Sequence, residues 1–165
     1  MNTEKARFNM VEQQIRPWNV LDPNVLDPLF EVRREEFVPQ NYRSLAFADI
    51  EIPLTPKAVM MPPRMEARML QELELSPDAQ ILEVGTGSGY MTALLASQGA
   101  QVTSLEIDPA LKEQAQANLD EAGIENATLL LGDGLKGHES GEPYDAIVLT
   151  GSVPAIPDVL LRSEE

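Results

Sequence analysis

A short apolar strand that runs into alternating glycines constrains this chain more than any other feature. Gln80–Val84 has the composition of a buried strand, Gly85, Gly87 and Gly89 follow it, and a helical segment begins at Tyr90. Glycine has no Cβ, so it can adopt a positive φ and lets a ligand or another backbone approach closely. The N–H groups at the start of the helix then face whatever lies over the turn. We expect the rest of the chain to support this turn.

Beyond Ser76 the chain alternates between predicted strands and predicted helices. The strands are predicted at Gln80–Val84, Gln101–Glu106, Ala127–Leu131 and 144–149, and the helices at about 90–97 and 109–122. Alternation at this spacing predicts a mainly parallel, doubly wound sheet with helices on both faces. We therefore expect a Rossmann-like α/β core over residues 63–165, with ligands bound at the carboxyl ends of the strands.

The first 62 residues lack this alternation and predict a helical and loop subdomain. Asp22-Pro23 and Asp27-Pro28 each predict the start of a helix, with aspartate as N-cap and proline in the first turn. The charge run Arg33–Glu36 predicts a solvated face. The spacing of Phe8, Val11 and Ile15 predicts a helix that ends at Pro17-Trp18. A second helix, which begins at Pro63, is predicted to bury Met65, Met69, Leu70 and Leu73.

Composition and charge limit the class of protein and its partners. The 165 residues are 43% hydrophobic, which suits a globular protein with a real core, and no apolar run approaches the ~20 residues of a membrane span. The absence of cysteine excludes thiolate metal sites and is compatible with a reducing cytoplasm. Residues 77–165 carry 3 Lys/Arg against 15 Asp/Glu, and nucleic-acid binding relies on basic patches. We expect a cytoplasmic protein without a metal, nucleic-acid or membrane partner.

Acidic and hydroxyl side chains fall at the predicted carboxyl ends of all four strands. Glu83 lies at the end of the first strand and Glu106 at the end of the second, while Asp133 and Thr150 follow the third and fourth. Because these ends meet at one edge of a parallel sheet, we expect the side chains to lie close together. Glu106 is placed to accept hydrogen bonds from both hydroxyls of a ribose.

The glycine spacing distinguishes between two nucleotide-like cofactors. A dinucleotide site has the pattern G-x-G-x-x-G, whereas this chain has Gly85-x-Gly87-x-Gly89. Pyrophosphate binding is favoured by helix N-terminal amides and disfavoured by nearby anions, yet Glu83 adjoins the turn and the region is acidic. S-adenosylmethionine carries a sulfonium and an ammonium group, so carboxylates favour it over NAD.

Several runs together resemble one family. ILEVGTGSGYMTALLA, VTSLEID, LLLGDGLKG, EPYDAIVLTGSVPAIPDVLL and the upstream EEFVP look like the protein-L-isoaspartate O-methyltransferases, within the class I S-adenosylmethionine-dependent methyltransferases. The resemblance extends from about Met10 to Leu161. It implies transfer of a methyl group to a carboxylate of damaged aspartyl residues in protein repair, by direct displacement from the sulfonium.

The resemblance also implies roles for individual residues. Those implied to cradle the methionine part of the cofactor are Glu83, Gly85, Thr86, Gly87, Ser88 and Gly89. Glu106 would hold the ribose with Ile107 beside it, Asp133 and Gly134 would contact the adenine, and Thr150 would border the methyl-transfer site as a candidate catalytic residue.

The chain departs from the family pattern in a loop whose hydroxyls border the acceptor carboxylate. The matching stretch here is Lys57-Ala58-Val59-Met60-Met61-Pro62-Pro63, and Met61 stands at the position of the family's acceptor-side serine. The more apolar loop leaves open an acceptor that is a different small molecule, and it equally leaves open methionines that only pack in the core.

A second departure is at the carboxyl end, where relatives continue with further strands. The sequence ends at Arg162-Ser163-Glu164-Glu165, so we expect an incomplete sheet, with possible self-association through the exposed edge of the fourth strand. Three hypotheses follow: a methyltransferase with an isoaspartyl or altered acceptor, a module that binds the cofactor without turnover, and a nicotinamide-dependent oxidoreductase.

Overall fold

The computed structural model describes residues 2–141 and 143–162. Expectations that concern Ser163 to Glu165 lie outside these residues. The chain divides into two compact units, one ending at Glu74 and the other beginning at Leu75, and each is described by itself. Among the described residues, no helix has the length and apolar character needed to span a membrane.

The first unit consists of short helices and one β-hairpin. Its main elements are α1 (Thr3–Met10), α2 (Pro23–Glu31), β1 (Ile52–Thr55), β2 (Ala58–Met60) and α3 (Pro63–Glu72). Helix α1 continues as a π-helix over Val11–Ile15 and a 3₁₀ turn over Arg16–Trp18, and two further 3₁₀ helices span Arg34–Glu36 and Gln40–Leu45. Strands β1 and β2 pair antiparallel, with Ile52 opposite Met60 on the buried face.

One of the two predicted helix starts is confirmed. Asp22 caps α2, and its side chain accepts a hydrogen bond from the N–H of Asn24 at 2.9 Å. The second start, at Asp27-Pro28, is wrong because Pro28 lies inside α2. An interior proline removes one helical hydrogen bond, and burial of Val25, Leu26 and Leu29 offsets that loss. Of the three residues with helical spacing near the start of the chain, Val11 and Ile15 are buried and the side chain of Phe8 is 54% exposed.

Helix α3 buries a face that shares only Leu70 with the predicted apolar stripe. The buried side chains are Pro63, Glu66, Ala67 and Leu70, and Met65 is exposed. The face is rotated because it includes a carboxylate, Glu66, which pairs with the fully buried Arg34. The interpretation of Arg33–Glu36 as a solvated face is therefore wrong for Arg34.

The second unit is a four-stranded parallel sheet with the strand order β5-β4-β3-β6. Its elements are β3 (Gln80–Val84), α4 (Tyr90–Ser97), β4 (Gln101–Glu106), α5 (Pro109–Glu121), β5 (Ala127–Leu131), β6 (Ala146–Leu149) and α6 (Asp158–Arg162), with 3₁₀ turns at Gly134–Lys136 and Glu139–Gly141. The predicted bounds of the first three strands are confirmed. The fourth starts at Ala146 instead of 144, because Tyr144 is buried beside the sheet and its hydroxyl donates to the carbonyl of His138 at 3.1 Å.

This strand order places the glycine turn at the topological switch point. Strand β3 pairs with β4 on one side and with β6 on the other, so the order of strands reverses next to β3. In open α/β sheets, ligands bind at the carboxyl ends of the strands at such a reversal. The expected Rossmann-like α/β fold is confirmed, and Gly85 follows the central strand at this reversal.

Candidate functional site

The glycine turn leaves β3 in a conformation that only glycine adopts without strain. Gly85, Gly87 and Gly89 have φ values of 101°, 57° and 85°. A Cβ on Gly85 would lie 2.5 Å from Oγ1 of Thr150. The predicted reason for these glycines, positive φ and close approach of neighbouring groups, is the one the structure displays.

Thr150, which follows β6, closes over this turn. Its N–H donates to the carbonyl of Val84 at 3.1 Å, and its Oγ1 lies 2.9 Å from the same carbonyl and also contacts the carbonyl of Gly85. The structure thus brings Thr150 to the carboxyl end of β3, as its position in the sequence predicts. A role beside the transferred methyl group remains a prediction.

Glu106 joins the end of β4 to the centre of the glycine turn. Its Oε2 accepts a hydrogen bond from the N–H of Gly87 at 2.8 Å, and its Oε1 accepts one from the N–H of Asp108 at 3.1 Å. Each carboxylate oxygen has two lone pairs, so one acceptor position remains on each oxygen. Two such positions match the two vicinal hydroxyls of a ribose.

Glu83 lies beneath the turn rather than over it. The carboxylate is fully buried, and its Oε2 accepts hydrogen bonds from Thr92 Oγ1 at 2.5 Å and Ser104 Oγ at 2.6 Å. Oγ1 of Thr86 lies 2.6 Å from Oγ of Ser104. Because the single proton of Ser104 is directed to Glu83, Thr86 must donate to Ser104. This buried network ties the turn to α4 and β4.

Helix α5 supports the far side of the turn. The side-chain amide of Asn118 donates to the carbonyl of Ser88 at 2.9 Å, and the hydroxyl of Ser88 accepts from the N–H of Tyr90 at 3.3 Å. A Cβ on Gly89 would lie 3.4 Å from Ala115 and from Leu119. The turn is therefore held by side-chain and packing contacts from α5.

The loop after β5 supplies the remaining predicted residues. Asp133 caps the turn Gly134–Lys136 by accepting from the N–H of Leu135 at 3.2 Å, and its other oxygen lies 3.7 Å from Nζ of Lys136. A Cβ on Gly134 would lie 2.7 Å from Val84 Cγ1, so only glycine fits there. Ile107 is 68% exposed directly after Glu106, which leaves it available to an apolar ligand group.

The donor set of this site fits S-adenosylmethionine. Three carboxylates, Glu83, Glu106 and Asp133, lie at or beneath the carboxyl ends of the strands, and Glu106 keeps two free acceptor positions. A carboxylate-rich environment favours a ligand with a sulfonium and an ammonium group and disfavours a pyrophosphate. Among the described residues, no group of three or more His, Cys, Asp or Glu could hold a metal ion.

Met61 lies in the other unit, between β2 and α3, and its main chain is anchored there. Nη2 of Arg34 donates to the carbonyl of Met61 at 2.7 Å. The neighbouring Met60 is buried, in agreement with core packing, whereas Met61 is half-buried. Arg34 also pairs with Glu66. Burial raises the pKa of Glu66 to about 7, although the positive charge of Arg34 acts in the opposite direction.

Four residues that hold the glycine turn or the Met61 segment in place were not predicted from the sequence. They are Thr92, Ser104, Arg34 and Glu66. Thr92 lies between the apolar residues Met91 and Ala93 of α4, and that contrast was an available signal for a buried hydrogen bond. Ser104 had a weaker signal, its position two residues before Glu106 on the same strand. Arg34 and Glu66 had no local signal, because they are 32 residues apart in the sequence.

Comparison with known proteins decides the family. The family model described as protein-L-isoaspartate(D-aspartate) O-methyltransferase matches residues 5–164. The chain belongs to this family. Among relatives, the protein-L-isoaspartate O-methyltransferase of Methanoculleus marisnigri is 38% identical over 95% of this chain and 71% of its own length. That of Gloeobacter violaceus is 38% identical over 92% of this chain and 74% of its own length.

Solved structures of similarly named proteins have the same fold. One protein-L-isoaspartate O-methyltransferase superposes with a TM-score of 0.82 at 25% identity, covering 98% of this chain and 51% of that one. The Plasmodium falciparum protein, solved with S-adenosyl-L-homocysteine, superposes with a TM-score of 0.80 at 19% identity, covering 100% of this chain and 80% of that one. This protein-L-isoaspartate O-methyltransferase family member therefore has the class I methyltransferase fold, and the resemblance inferred from its motifs is confirmed.

Proposed function

We propose that this chain is an S-adenosylmethionine-dependent O-methyltransferase that methylates the carboxylate of isoaspartyl residues in damaged proteins. The observation that carries the proposal is the contact of Glu106 with the glycine turn, which leaves two acceptor positions for a ribose at the switch point. Family membership supports the reaction, and the solved relative with S-adenosyl-L-homocysteine supports the cofactor.

In this proposal each group of residues binds one part of the cofactor. Glu106 would hold the ribose with Ile107 beside it, Asp133 and Gly134 would contact the adenine, and the turn from Gly85 to Gly89 would cradle the methionine part. The buried position of Glu83 and Thr86 supports an indirect role for both, in which they fix the turn. When bound, the cofactor supplies a methyl group on a sulfonium, whose departure leaves a neutral thioether.

The chain's own contribution to the reaction would be binding and orientation. A carboxylate acceptor is ionised at neutral pH, so it needs no general base. Holding two reactants in the correct geometry can supply most of the rate enhancement. In this proposal Thr150 borders the reacting groups, and the Lys57–Pro63 segment, with Met61 in the place of a serine, contacts the acceptor.

An altered small-molecule acceptor is the second candidate function. It is favoured by one observation: Val59 is 48% exposed and Met61 is half-buried in a segment where the family has hydroxyl side chains. A cofactor-binding module without turnover would share the same site. A cytoplasmic location belongs to the main proposal, since a cysteine-free chain suits a reducing compartment.

Self-association through the edge of the sheet is a further part of the proposal. Strand β6 is a terminal strand in the order β5-β4-β3-β6, and an edge strand offers unpaired main-chain groups to another chain. Sedimentation velocity tests this directly. Dimers that dissociate on dilution would support edge pairing, and a stable monomer at all concentrations would contradict it.

Two measurements test the proposed reaction. Calorimetry should detect binding of S-adenosylmethionine and S-adenosylhomocysteine but not NAD, and the reverse result would favour an oxidoreductase. Transfer of a labelled methyl group to an isoaspartyl peptide should give a base-labile product, as a carboxyl methyl ester does. Binding without transfer to the peptide would direct attention to a screen of small-molecule acceptors.

A further inference from the structure

A single buried guanidinium joins four segments of the first unit. Arg34 is fully buried in the 3₁₀ helix Arg34–Glu36. Its Nε donates to the carbonyl of Ala46 at 2.8 Å, its Nη1 to Oε2 of Glu66, and its Nη2 to the carbonyl of Met61 at 2.7 Å. Because guanidinium donors are fixed in one plane, these bonds determine the mutual positions of the three acceptors.

The bond to Met61 fixes the main chain at a sensitive place. Met61 follows β2 and precedes Pro62 and Pro63, which have a restricted φ and no N–H group. A conformation set at Met61 is therefore transmitted to β2 on one side and to the first turn of α3 on the other. Arg34 bonds to the main chain of this segment and not to a side chain. Its effect on the conformation of the segment therefore does not depend on a hydroxyl side chain there.

Glu66 holds Arg34 in this geometry from the buried face of α3. Its side chain is 3% exposed, and a carboxylate and a guanidinium that are both buried are retained only as a pair. The cost of burying two charges makes the pair a poor source of stability compared with apolar packing. The buried ion pair fixes the main-chain geometry at Met61, which a pair of apolar side chains could not do.

We propose that Arg34 is a positioning residue for the methyl acceptor: through the carbonyl of Met61 it sets the conformation of the Lys57–Pro63 segment. Glu66 orients Arg34 for this purpose. The inference rests on the proposed function, in which that segment contacts the acceptor, and it adds two residues for which the motifs gave no role.

Arg7 provides a matched control within the same unit. It is also buried, and it bonds to Glu4 at 2.8 Å and Glu35 at 2.5 Å. Both of these partners are side chains outside the Lys57–Pro63 segment. Glu35 belongs to the same 3₁₀ helix as Arg34, so loss of the Arg7 fork weakens the anchoring of that helix while it leaves the bond from Arg34 to Met61 in place.

The test compares steady-state kinetics of variants of the 165-residue chain with an isoaspartyl peptide as acceptor. Arg34→Lys keeps the charge and loses the planar fork, and we expect the KM for the peptide to rise at least about tenfold, as misplacement of a reactant predicts. The dissociation constant for S-adenosylmethionine, measured by calorimetry, should stay within about twofold, because its proposed ligands lie in the other unit. Arg7→Lys should leave the KM for the peptide unchanged.

A second variant keeps the test valid if Arg34→Lys folds poorly. Arg34→Met combined with Glu66→Leu replaces the buried pair with apolar side chains, a change that often preserves or increases stability. The folded double variant should show the same rise in the KM for the peptide. An unchanged KM in that variant, or an equal rise in Arg7→Lys, would overturn the proposal.

Failure of the proposed function gives a different result from failure of the role proposed for Arg34. Wild-type protein that binds S-adenosylmethionine but releases no S-adenosylhomocysteine with the peptide would overturn the acceptor assignment before any variant is compared. It would overturn the positioning role of Arg34 with it. An active wild type with insensitive Arg34 variants would overturn only the role of Arg34.

Discussion

The main-chain N–H of Gly87 donates a hydrogen bond to Oε2 of Glu106 at 2.8 Å. One carboxylate thus fixes the centre of the glycine turn and keeps acceptor positions for a ligand. The glycine turn and the acid at the end of the next strand are linked in the structure, although the sequence shows them as two separate motifs.

Substitution of Glu106 by Gln tests whether this carboxylate both holds the turn and binds the cofactor. The amide loses the charge and places a donor where Oε1 or Oε2 accepts a main-chain N–H, so the affinity for S-adenosylmethionine should fall roughly 10- to 100-fold, the equivalent of one charge-assisted hydrogen bond. Glu113→Gln, an exposed change on α5 with the same loss of charge, should leave the affinity unchanged in the same calorimetric titration. Equal affinities for both variants would show that Glu106 does not hold the ribose.

The buried network under the turn should control stability as well as binding. Ser104→Ala removes the donor to Glu83 and the acceptor for Thr86, and the free energy of unfolding should fall by about 1–3 kcal/mol because buried polar groups lose their partners. Urea denaturation measures the change. A variant as stable as the wild type would mean that the hydroxyl of Ser104 does not hold the turn.

Gly134 should tolerate no side chain. A Cβ there would lie 2.7 Å from Val84 Cγ1 and 3.2 Å from Leu105 Cβ, so Gly134→Ala should lower the free energy of unfolding by about 1–3 kcal/mol through overpacking. Gly151→Ala is the control, since a Cβ at that position has no neighbour within 4 Å. Thermal unfolding of both variants should separate them, and equal melting temperatures would contradict the packing around Gly134.

The buried carboxylate on α3 gives a pH dependence of defined sign. Burial raises the pKa of Glu66 from 4.5 to about 7, so the folded state binds the proton more tightly than the unfolded state does. The stability linked to Glu66 is complete below pH 4.5 and is lost as the pH rises through 7. Relative to the Arg34→Met, Glu66→Leu double variant, the wild type should lose up to about 3 kcal/mol across this window. Parallel stability curves would contradict the raised pKa.

Local patterns were sufficient for the parallel core. Gln80–Val84, Gln101–Glu106 and Ala127–Leu131 were predicted with correct bounds, because they alternate with helical segments and turn residues such as Gly99 and Gly123 separate them. The grouping of Glu106 and Thr150 around the glycine turn followed from the rule that parallel strands end at the same edge of the sheet.

Non-local contacts account for what the sequence did not reveal. Periodicity treats Glu66 as a surface residue, and only a partner 32 residues away makes its burial on α3 possible. The same pair reverses the interpretation of Arg34. Glu83 was expected to face the cofactor, and its burial depends on hydroxyls from α4 and β4 that no single motif contains.

The central claim is methyl transfer to an isoaspartyl carboxylate. The most direct measurement is the rate of S-adenosylhomocysteine release with two peptides of the same sequence, one with isoaspartate and one with aspartate at a single position. We predict release with the isoaspartyl peptide and none above background with the aspartyl peptide. Absence of release with both peptides, from protein that binds S-adenosylmethionine, would contradict the account.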